Sequence, residues 1–123
     1  MDRGNDFRLT LITNDPALAD RADRAGVDVI GVDIERLNKS ARQGHIRDAR
    51  ISDHELSDLK WLAAEVRAAA LFARLNPLHE GSKGEIDSAV AHGAAVLMLP
   101  YFFSASEVEG FVRLVDGRAK VVR

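Results

Sequence analysis

The sequence predicts an α/β fold in which parallel strands alternate with helices. Short runs of apolar and β-branched residues, typical of buried strands, alternate along the chain with segments whose apolar residues recur at helical spacing. Glycine or proline stands at most of the junctions between them. Strands that alternate with helices are joined by right-handed crossovers, so neighbouring strands are expected to be parallel.

Each predicted strand is an apolar run that ends at a turn signal. The first stops at Asn14–Pro16, and the third stops at Asn76–Pro77. The second and fourth are apolar over most of their length, as expected for strands buried on both faces. The five predicted strands are Phe7–Thr13, Val27–Ile34, Leu71–Leu75, Ala94–Leu99 and Ala119–Val122.

Capping signals delimit the predicted helices. Pro16 is suited to a first helical turn, and Gly26 to the position after a last turn. Ser104 followed by Glu107 has the spacing of a capping box. Residues 35–52 are polar and basic without a clear period, which predicts a loop. The predicted helices are Ala17–Ala25, His54–Ala69, Ser82–His92 and Ser104–Val115.

Composition excludes several classes of function. The 123 residues suit one domain, residues 1–123. A net charge of −2, with both signs interspersed, indicates neither nucleic acid nor an anionic membrane as a partner. The lack of cysteine excludes disulfides, thiolate metal sites and cysteine nucleophiles. No segment has the length of a membrane span or the form of a signal peptide, so we expect a cytoplasmic protein.

Two folds accept this order of elements. One is a five-stranded doubly wound sheet, and the other is an eight-stranded barrel interrupted at strand five. A full barrel takes about 250 residues, so chain length favours the doubly wound sheet. Both folds bind ligands at the carboxyl ends of their strands, and the residues there must decide.

Charged residues stand at two of these strand ends. Asp33 and Glu35 have the period-two spacing that puts them on one face of a strand, where they can accept protons, orient an arginine or cap loops. Arg74 lies in the otherwise apolar run at strand three, and its planar fork suits a carboxylate or phosphate. A structural pair between Arg74 and either carboxylate is the alternative.

The histidines carry a weaker signal. His54 stands at a predicted helix start, where the helix dipole favours a neutral imidazole. His45 and His79 lie in loops, and His92 is expected to be structural. No pair of histidines has the spacing of a zinc site, and residues 81–84 lack the full spacing of a phosphate loop.

Four motifs in order resemble the HpcH/HpaI aldolase/citrate-lyase family of 2-oxoacid aldolases, from about Leu9 to Arg123. The strand-four motif is followed by a helix-four motif at Ser106–Val108. The matching segments are Ile30–Glu35, the His54–Asp58 pair, Ala73–Pro77 and Gly93–Pro100.

The resemblance implies a fold and a chemistry. The fold is the first four and a half units of a TIM (β/α)8 barrel. The activity is that of a carbon–carbon lyase acting on a 2-oxoacid or acyl substrate through an enolate, with a divalent metal, Mg or Mn, in the complete enzyme. The family's metal-binding glutamate and aspartate follow strands five and six, so no metal ligand is expected in this chain. The chain is therefore expected to be inactive alone, as a fragment, a frameshifted product or one half of a split enzyme.

The resemblance also implies roles for individual residues. Arg74 would bind the substrate together with Asn76 and Pro100 and would stabilise the enolate, and His54 would be the general base. Two carboxylates would orient them. The implied site residues are Arg74, His54, Asn76, Pro100, Asp33 and Glu35.

Two other functions compete with catalysis. A signal-receiver domain needs an aspartate where this chain has Arg74, which excludes phosphoryl acceptance. A half-barrel that serves only as an association module stays open. The uncovered edges of a half-barrel would lead the chain to bind the missing barrel half or to form a homo-oligomer.

Overall fold

Strands and helices alternate along the chain as predicted. The computed structural model describes residues 8–35 and 54–122. Five strands and four helices lie in these ranges. In chain order they are β1 (Thr10–Ile12), α1 (Pro16–Ala25), β2 (Val29–Asp33), α2 (Asp58–Glu65), β3 (Ala70–Arg74), α3 (Ser82–Ala91), β4 (Val96–Met98), α4 (Ala105–Val115) and β5 (Lys120–Val122).

The strands form one parallel sheet in the order β1-β2-β3-β4-β5. A doubly wound sheet reverses its strand order at a switch point, and this sheet does not. Consecutive order throughout is the arrangement of a barrel. Chain length favoured a doubly wound sheet, and that expectation is wrong for these five strands.

The two faces of the sheet differ in their surroundings. The outer face packs against the helices, and its residues Ile30, Val32 and Leu97 are fully buried together with Leu59, Leu62 and Phe111 of the helices. The residues between them point to the opposite face, since side chains alternate along a strand. We call this the inner face. It is lined by Arg8, Thr10, Ile12, Val29, Phe72, Arg74, Val96, Met98, Lys120 and Val122.

Helix α1 has the ends that its sequence predicts. The side chain of Asp15 accepts hydrogen bonds from the backbone N–H groups of Ala17 and Leu18, at 3.0 and 3.4 Å. Gly26 follows the last turn with a φ of 98°, a left-handed conformation that glycine adopts without a steric penalty. These two caps place β2 directly after the helix.

Helix α2 is shorter than predicted. It spans Asp58–Glu65 rather than His54–Ala69, and Val66 is already extended. The cause is a contact distant in sequence. The carboxylate of Asp23 accepts hydrogen bonds from the N–H groups of residues 67–69, at 2.7, 3.1 and 2.8 Å, which draws the chain out of the helix and into β3.

Gly31 permits a close approach of β2 to β3. A Cβ atom at this position would lie 1.7 Å from the carbonyl oxygen of Phe72, far inside any allowed contact. The two residues are partners in the parallel register. No side chain other than hydrogen fits here, so Gly31 is required by the geometry of the sheet.

Some sequence predictions concern parts of the chain that the structure does not describe. Residues 36–53, which make up most of the predicted loop and include His45, lie outside the described residues. Of the helices in residues 8–35 and 54–122, none is both long and apolar enough to cross a bilayer.

We expect Gly31→Ala to destabilise the fold by about 3 kcal/mol or more, because the added methyl group must displace the β3 backbone. Urea unfolding monitored by circular dichroism measures the change. Gly84→Ala is the matched control, since a Cβ atom there meets nothing within 4 Å. In helix α3 the control substitution should stabilise by about 0.5–1 kcal/mol. Equal stability of the two variants would contradict the close approach.

We expect Asp23→Asn to cost about 1–3 kcal/mol, because an amide cannot replace a carboxylate that accepts three N–H groups. The hydrogen bond from Arg67 N–H is the main cause that lowers the pKa of Asp23, against the opposing effect of burial. A lowered folded-state pKa means that the stabilisation is complete above the ordinary aspartate pKa and is lost as pH falls through the folded value.

The difference between wild type and Asp23→Asn should therefore shrink in acid, which unfolding curves across the acid range measure. Asp20→Asn on the same helix removes only a surface pair with Arg24 and should cost no more than about 0.5 kcal/mol at any pH. A pH-independent loss in Asp23→Asn would show that the charge is irrelevant there.

Candidate functional site

The candidate site lies where β2 and β3 end side by side. Asp33 is the last residue of β2 and Arg74 the last of β3, and the two are register partners. Register partners on neighbouring parallel strands point to the same face. Both side chains therefore belong to the inner face, at the carboxyl end of the sheet.

Arg74 is held by two carboxylates. Its Nη2 atom lies 2.5 Å from Asp33 Oδ2 and 3.8 Å from Glu35 Oε1. The other oxygen of Asp33, Oδ1, accepts a hydrogen bond from the backbone N–H of Glu35 at 3.0 Å. Both oxygens of Asp33 are thus occupied, so this carboxylate is fixed and in turn fixes the guanidinium.

Electrostatics keep the arginine charged. The hydrogen bond that Arg74 donates to Asp33 raises the pKa of the guanidinium, burial lowers it, and the charges of Asp33 and Glu35 raise it further. The Nε atom of Arg74 is buried and has no hydrogen-bond partner among the described residues. One N–H of the charged group is therefore left unsatisfied within these residues.

His54 lies beside the same strand end. Its Nδ1 atom accepts a hydrogen bond from the backbone N–H of Asp33 at 3.3 Å. A neutral imidazole that accepts at Nδ1 carries its hydrogen on Nε2. The structure thus brings four of the six predicted residues together, namely Asp33, Glu35, Arg74 and His54. The roles assigned to them stay predictions.

Asp58, the other member of the histidine–aspartate motif, has a different set of partners. Its Oδ2 atom accepts hydrogen bonds from the backbone N–H of Glu55 at 2.9 Å and from Asn14 Nδ2 at 3.2 Å. These bonds join the start of helix α2 to the end of β1. Asp58 therefore positions the backbone that carries His54 rather than the imidazole itself.

Asn76 belongs to a second cluster, centred on Glu85. Asn76 Nδ2 donates to Glu85 Oε2 at 2.7 Å, and His79 Nε2 lies 3.0 Å from the same oxygen. The backbone N–H of Gly81 donates to His79 Nδ1 at 3.0 Å, so Nε2 carries the hydrogen and donates to the carboxylate. The amide nitrogen of Asn76 is directed to helix α3, and its predicted substrate contact stays a prediction.

Sequence reasoning missed Glu85. The signal was available, because Ser82 and Glu85 have the S-x-x-E spacing of a helix start, and the Ser82 hydroxyl accepts a hydrogen bond from His79 N–H at 2.8 Å. Glu85 and Ser82 together fix the loop that joins β3 to α3.

The remaining predicted residues lie farther along the sheet. Pro100 follows β4 and is half-buried, next to Tyr101, whose ring contacts Phe103 edge to face with centroids 5.5 Å apart.

His92 Nδ1 lies 2.7 Å from the carbonyl oxygen of Ser88 at the end of helix α3, which agrees with a structural role.

The described residues do not fit a divalent metal. Within residues 8–35 and 54–122, no group of three or more His, Asp or Glu side chains is arranged to hold an ion. Each oxygen of Asp33 already accepts a hydrogen bond, one from Arg74 and one from a backbone N–H, so the charge of this carboxylate is balanced by Arg74 rather than offered to a hard cation. A metal would need ligands from other parts of a complete barrel.

Comparison with solved structures identifies the fold. The chain is similar to the HpcH/HpaI aldolase of Desulfitobacterium hafniense DCB-2, with a TM-score of 0.63 and 18% identity over 87% of this chain and 36% of that chain. It is also similar to a phosphonopyruvate hydrolase in complex with oxalate and Mg++, with a TM-score of 0.61 and 17% identity over 91% of this chain and 43% of that chain.

The chain therefore spans less than half the length of either solved protein. By sequence, no family model matches it, and neither does any curated protein. Similarity at this identity establishes a shared fold. The predicted fold, a set of βα units from the first part of a TIM barrel, is confirmed.

Proposed function

We propose that this chain contributes the first part of an aldolase-type carbon–carbon lyase site that acts on a 2-oxoacid or acyl substrate. The observation that carries the proposal is the charged Arg74, held by Asp33 and Glu35 at the carboxyl end of β3. Active sites of TIM barrels lie at this end.

Arg74 would act on the oxygen that becomes negatively charged. In aldol cleavage, a base removes the proton from the hydroxyl group, and this oxygen then forms the carbonyl of the aldehyde product. The carbon–carbon bond breaks, and its electron pair passes to the 2-oxoacid as an enolate. A guanidinium fixed before the reaction stabilises that charge without reorganisation. Protonation of the enolate carbon completes the second product.

His54 would be the base. The proton goes to Nδ1, the unprotonated nitrogen, which must then give up its hydrogen bond from Asp33 N–H. Before the reaction, the backbone N–H of Asp33 orients the imidazole ring of His54. Asp33 thus contacts both functional side chains, one through its carboxylate and the other through its N–H.

An alternative function is a non-catalytic association module. The apolar inner face favours it, because apolar residues on that face are left partly exposed by the described residues. Completion of the barrel separates the two functions. A complex that is stable but inactive would indicate a module, whereas activity that depends on Arg74 would indicate the enzyme.

In a complex completed by the remaining βα units, we expect Arg74→Lys to lower kcat/KM by about 100-fold or more, because lysine keeps the charge but loses the planar fork. Steady-state kinetics of aldol cleavage measure the loss. The variant should lose no more than about 1–2 kcal/mol of stability. The control is Arg24→Lys on the surface of α1, which should leave kcat/KM unchanged. Activity of Arg74→Lys within a few-fold of wild type would make Arg74 structural.

The chain alone is expected to have no lyase activity. The Arg74 side chain is about a third exposed, and a hydrogen bond to an enolate stabilises less where water reaches it than in a closed cavity. The test titrates the purified chain with Mg²⁺ or Mn²⁺ in the presence of pyruvate or oxaloacetate, followed by an aldol-cleavage assay. Tight metal binding with turnover would refute the need for further barrel units. Recovery of metal binding and turnover on co-expression with a segment that supplies the missing glutamate and aspartate would show that further barrel units are needed.

A further inference from the structure

The imidazole of His54 lies beyond the end of β1, beside β2. The N–H groups of consecutive strand residues point to opposite sides, and Ile34 N–H donates to the carbonyl oxygen of Arg74 on β3 at 2.9 Å. The N–H of Asp33 therefore points to the β1 side, where it donates to His54 Nδ1 at 3.3 Å. Strand β1 itself ends at Ile12. The place of the imidazole thus depends on what joins the chain around His54 to the end of β1.

Asn14 is the residue at the end of β1 that reaches this segment. It stands between two anchored neighbours, because Thr13 N–H donates to the carbonyl oxygen of Gly31 at 2.9 Å and Asp15 caps helix α1. Its side-chain nitrogen Nδ2 donates to Asp58 Oδ2 at 3.2 Å. An ionised carboxylate only accepts hydrogen bonds, so the amide nitrogen of Asn14, and not its oxygen, must face Asp58. Asn14 thus ties the start of α2 to the sheet across 44 positions of the sequence.

Asp58 passes this anchor on to the backbone next to His54. Its Oδ2 atom also accepts a hydrogen bond from the N–H of Glu55 at 2.9 Å, and its own N–H donates to the carbonyl oxygen of Glu55 at 2.9 Å. Residues 55 and 58 are therefore closed into one ring of hydrogen bonds. Since Glu55 follows His54 directly, this ring sets the direction in which the chain presents the imidazole. The contacts form a relay from Asn14 through Asp58 and Glu55 to His54.

We propose that Asn14 is a positioning residue for His54, and that it holds the imidazole at Asp33 N–H through Asp58. The proposal rests on the proposed function only where it takes His54 as the base. A base acts when its nitrogen stays within hydrogen-bond reach of the proton that it removes, and a displacement of about 1 Å can cost about 100-fold in rate. Asn14 suits this role because an amide donates a hydrogen bond to Asp58 without adding a charge near the imidazole.

Hydrogen exchange at the backbone amides of Asp33 and Ile34 tests the relay in the purified chain. The Asp33 N–H is protected by His54, whereas the Ile34 N–H is protected by β3. We expect Asn14→Ala to speed the exchange of Asp33 by about 5-fold or more, the scale of one lost hydrogen bond, and to leave Ile34 within about 2-fold of wild type. Nuclear magnetic resonance on the isotope-labelled chain follows both amides in one sample.

Swapping the two side chains is the sharper test. Asn14→Asp alone sets two carboxylates against each other at neutral pH, so Asp33 should exchange at least as fast as in Asn14→Ala. In the double variant Asn14→Asp with Asp58→Asn, the amide and the carboxylate change places. The amide at position 58 keeps an oxygen for Glu55 N–H and offers its nitrogen to the carboxylate at position 14. The exchange of Asp33 should then return to within about 2-fold of wild type.

The matched control is Arg24→Ala, which removes another exposed side-chain hydrogen bond, the one from Arg24 Nε to Asp20 Oδ1 at 3.1 Å on helix α1. It should change the exchange of neither amide. Three results would overturn the proposal. They are unchanged exchange of Asp33 in Asn14→Ala, equal acceleration of Asp33 and Ile34, and a swapped variant in which Asp33 exchanges as fast as in Asn14→Asp. Equal acceleration would make the contact part of general stability rather than of the position of the imidazole.

Activity gives a separate readout. In a complex completed by the remaining βα units, Asn14→Ala should lower kcat by about 10-fold and leave KM within about 2-fold, because Asn14 supports the base and does not bind the substrate. Exchange is measured without substrate. An inactive complex would therefore overturn the proposed function and leave the anchoring of His54 intact, whereas the three exchange results would overturn the role of Asn14 and leave the activity test of Arg74 unaffected.

Discussion

The register of β2 against β3 is the constraint on which the rest of the structure depends. These strands form the longest pairing in the sheet, five partners from Val29 with Ala70 to Asp33 with Arg74. Gly31 allows the close approach of their backbones. A slip of one residue would turn every side chain of a strand to the other face and place Arg74 among the helices. The same register thus determines which residues form the core and which form the site.

Much of the fold could be predicted because its signals are local. Apolar runs bounded by proline or glycine gave the five strands, and the caps at Asp15, Gly26 and Ser104 lie where their spacing indicates. The end of α2 could not be predicted, because it depends on Asp23, more than forty positions earlier in the chain. The helical spacing of apolar residues continues past Glu65, so the sequence alone predicts a longer helix. The helix ends early because Asp23 accepts hydrogen bonds from the N–H groups of residues 67–69, and a local sequence pattern does not include that distant residue.

The candidate site was predictable to a similar extent. A charge inside an apolar strand needs a partner, so Arg74 and the carboxylates after β2 could be paired from the sequence. The hydrogen-bond partners of Asn76 and His79 could not be predicted in this way, since both side chains bind Glu85, a residue of the next helix. Periodicity and chain length did not choose correctly between a doubly wound sheet and a barrel, and the barrel was predicted only from the family resemblance of the strand-end motifs. The choice depends on whether strand order reverses, which no local pattern encodes.

The charge balance of the site explains why these residues need a complement. Two carboxylates, Asp33 and Glu35, surround one guanidinium, so the group has one net negative charge when all three are ionised. A 2-oxoacid is an anion, and the cation that the described residues place at this site, Arg74, is already shared between two carboxylates. Arg74 is therefore well positioned but weakly attractive to such a ligand within this part of the barrel. Positive charge from outside the described residues would strengthen the binding of such an anion. The ion pair that fixes Arg74 thus makes anion binding depend on groups beyond the described residues.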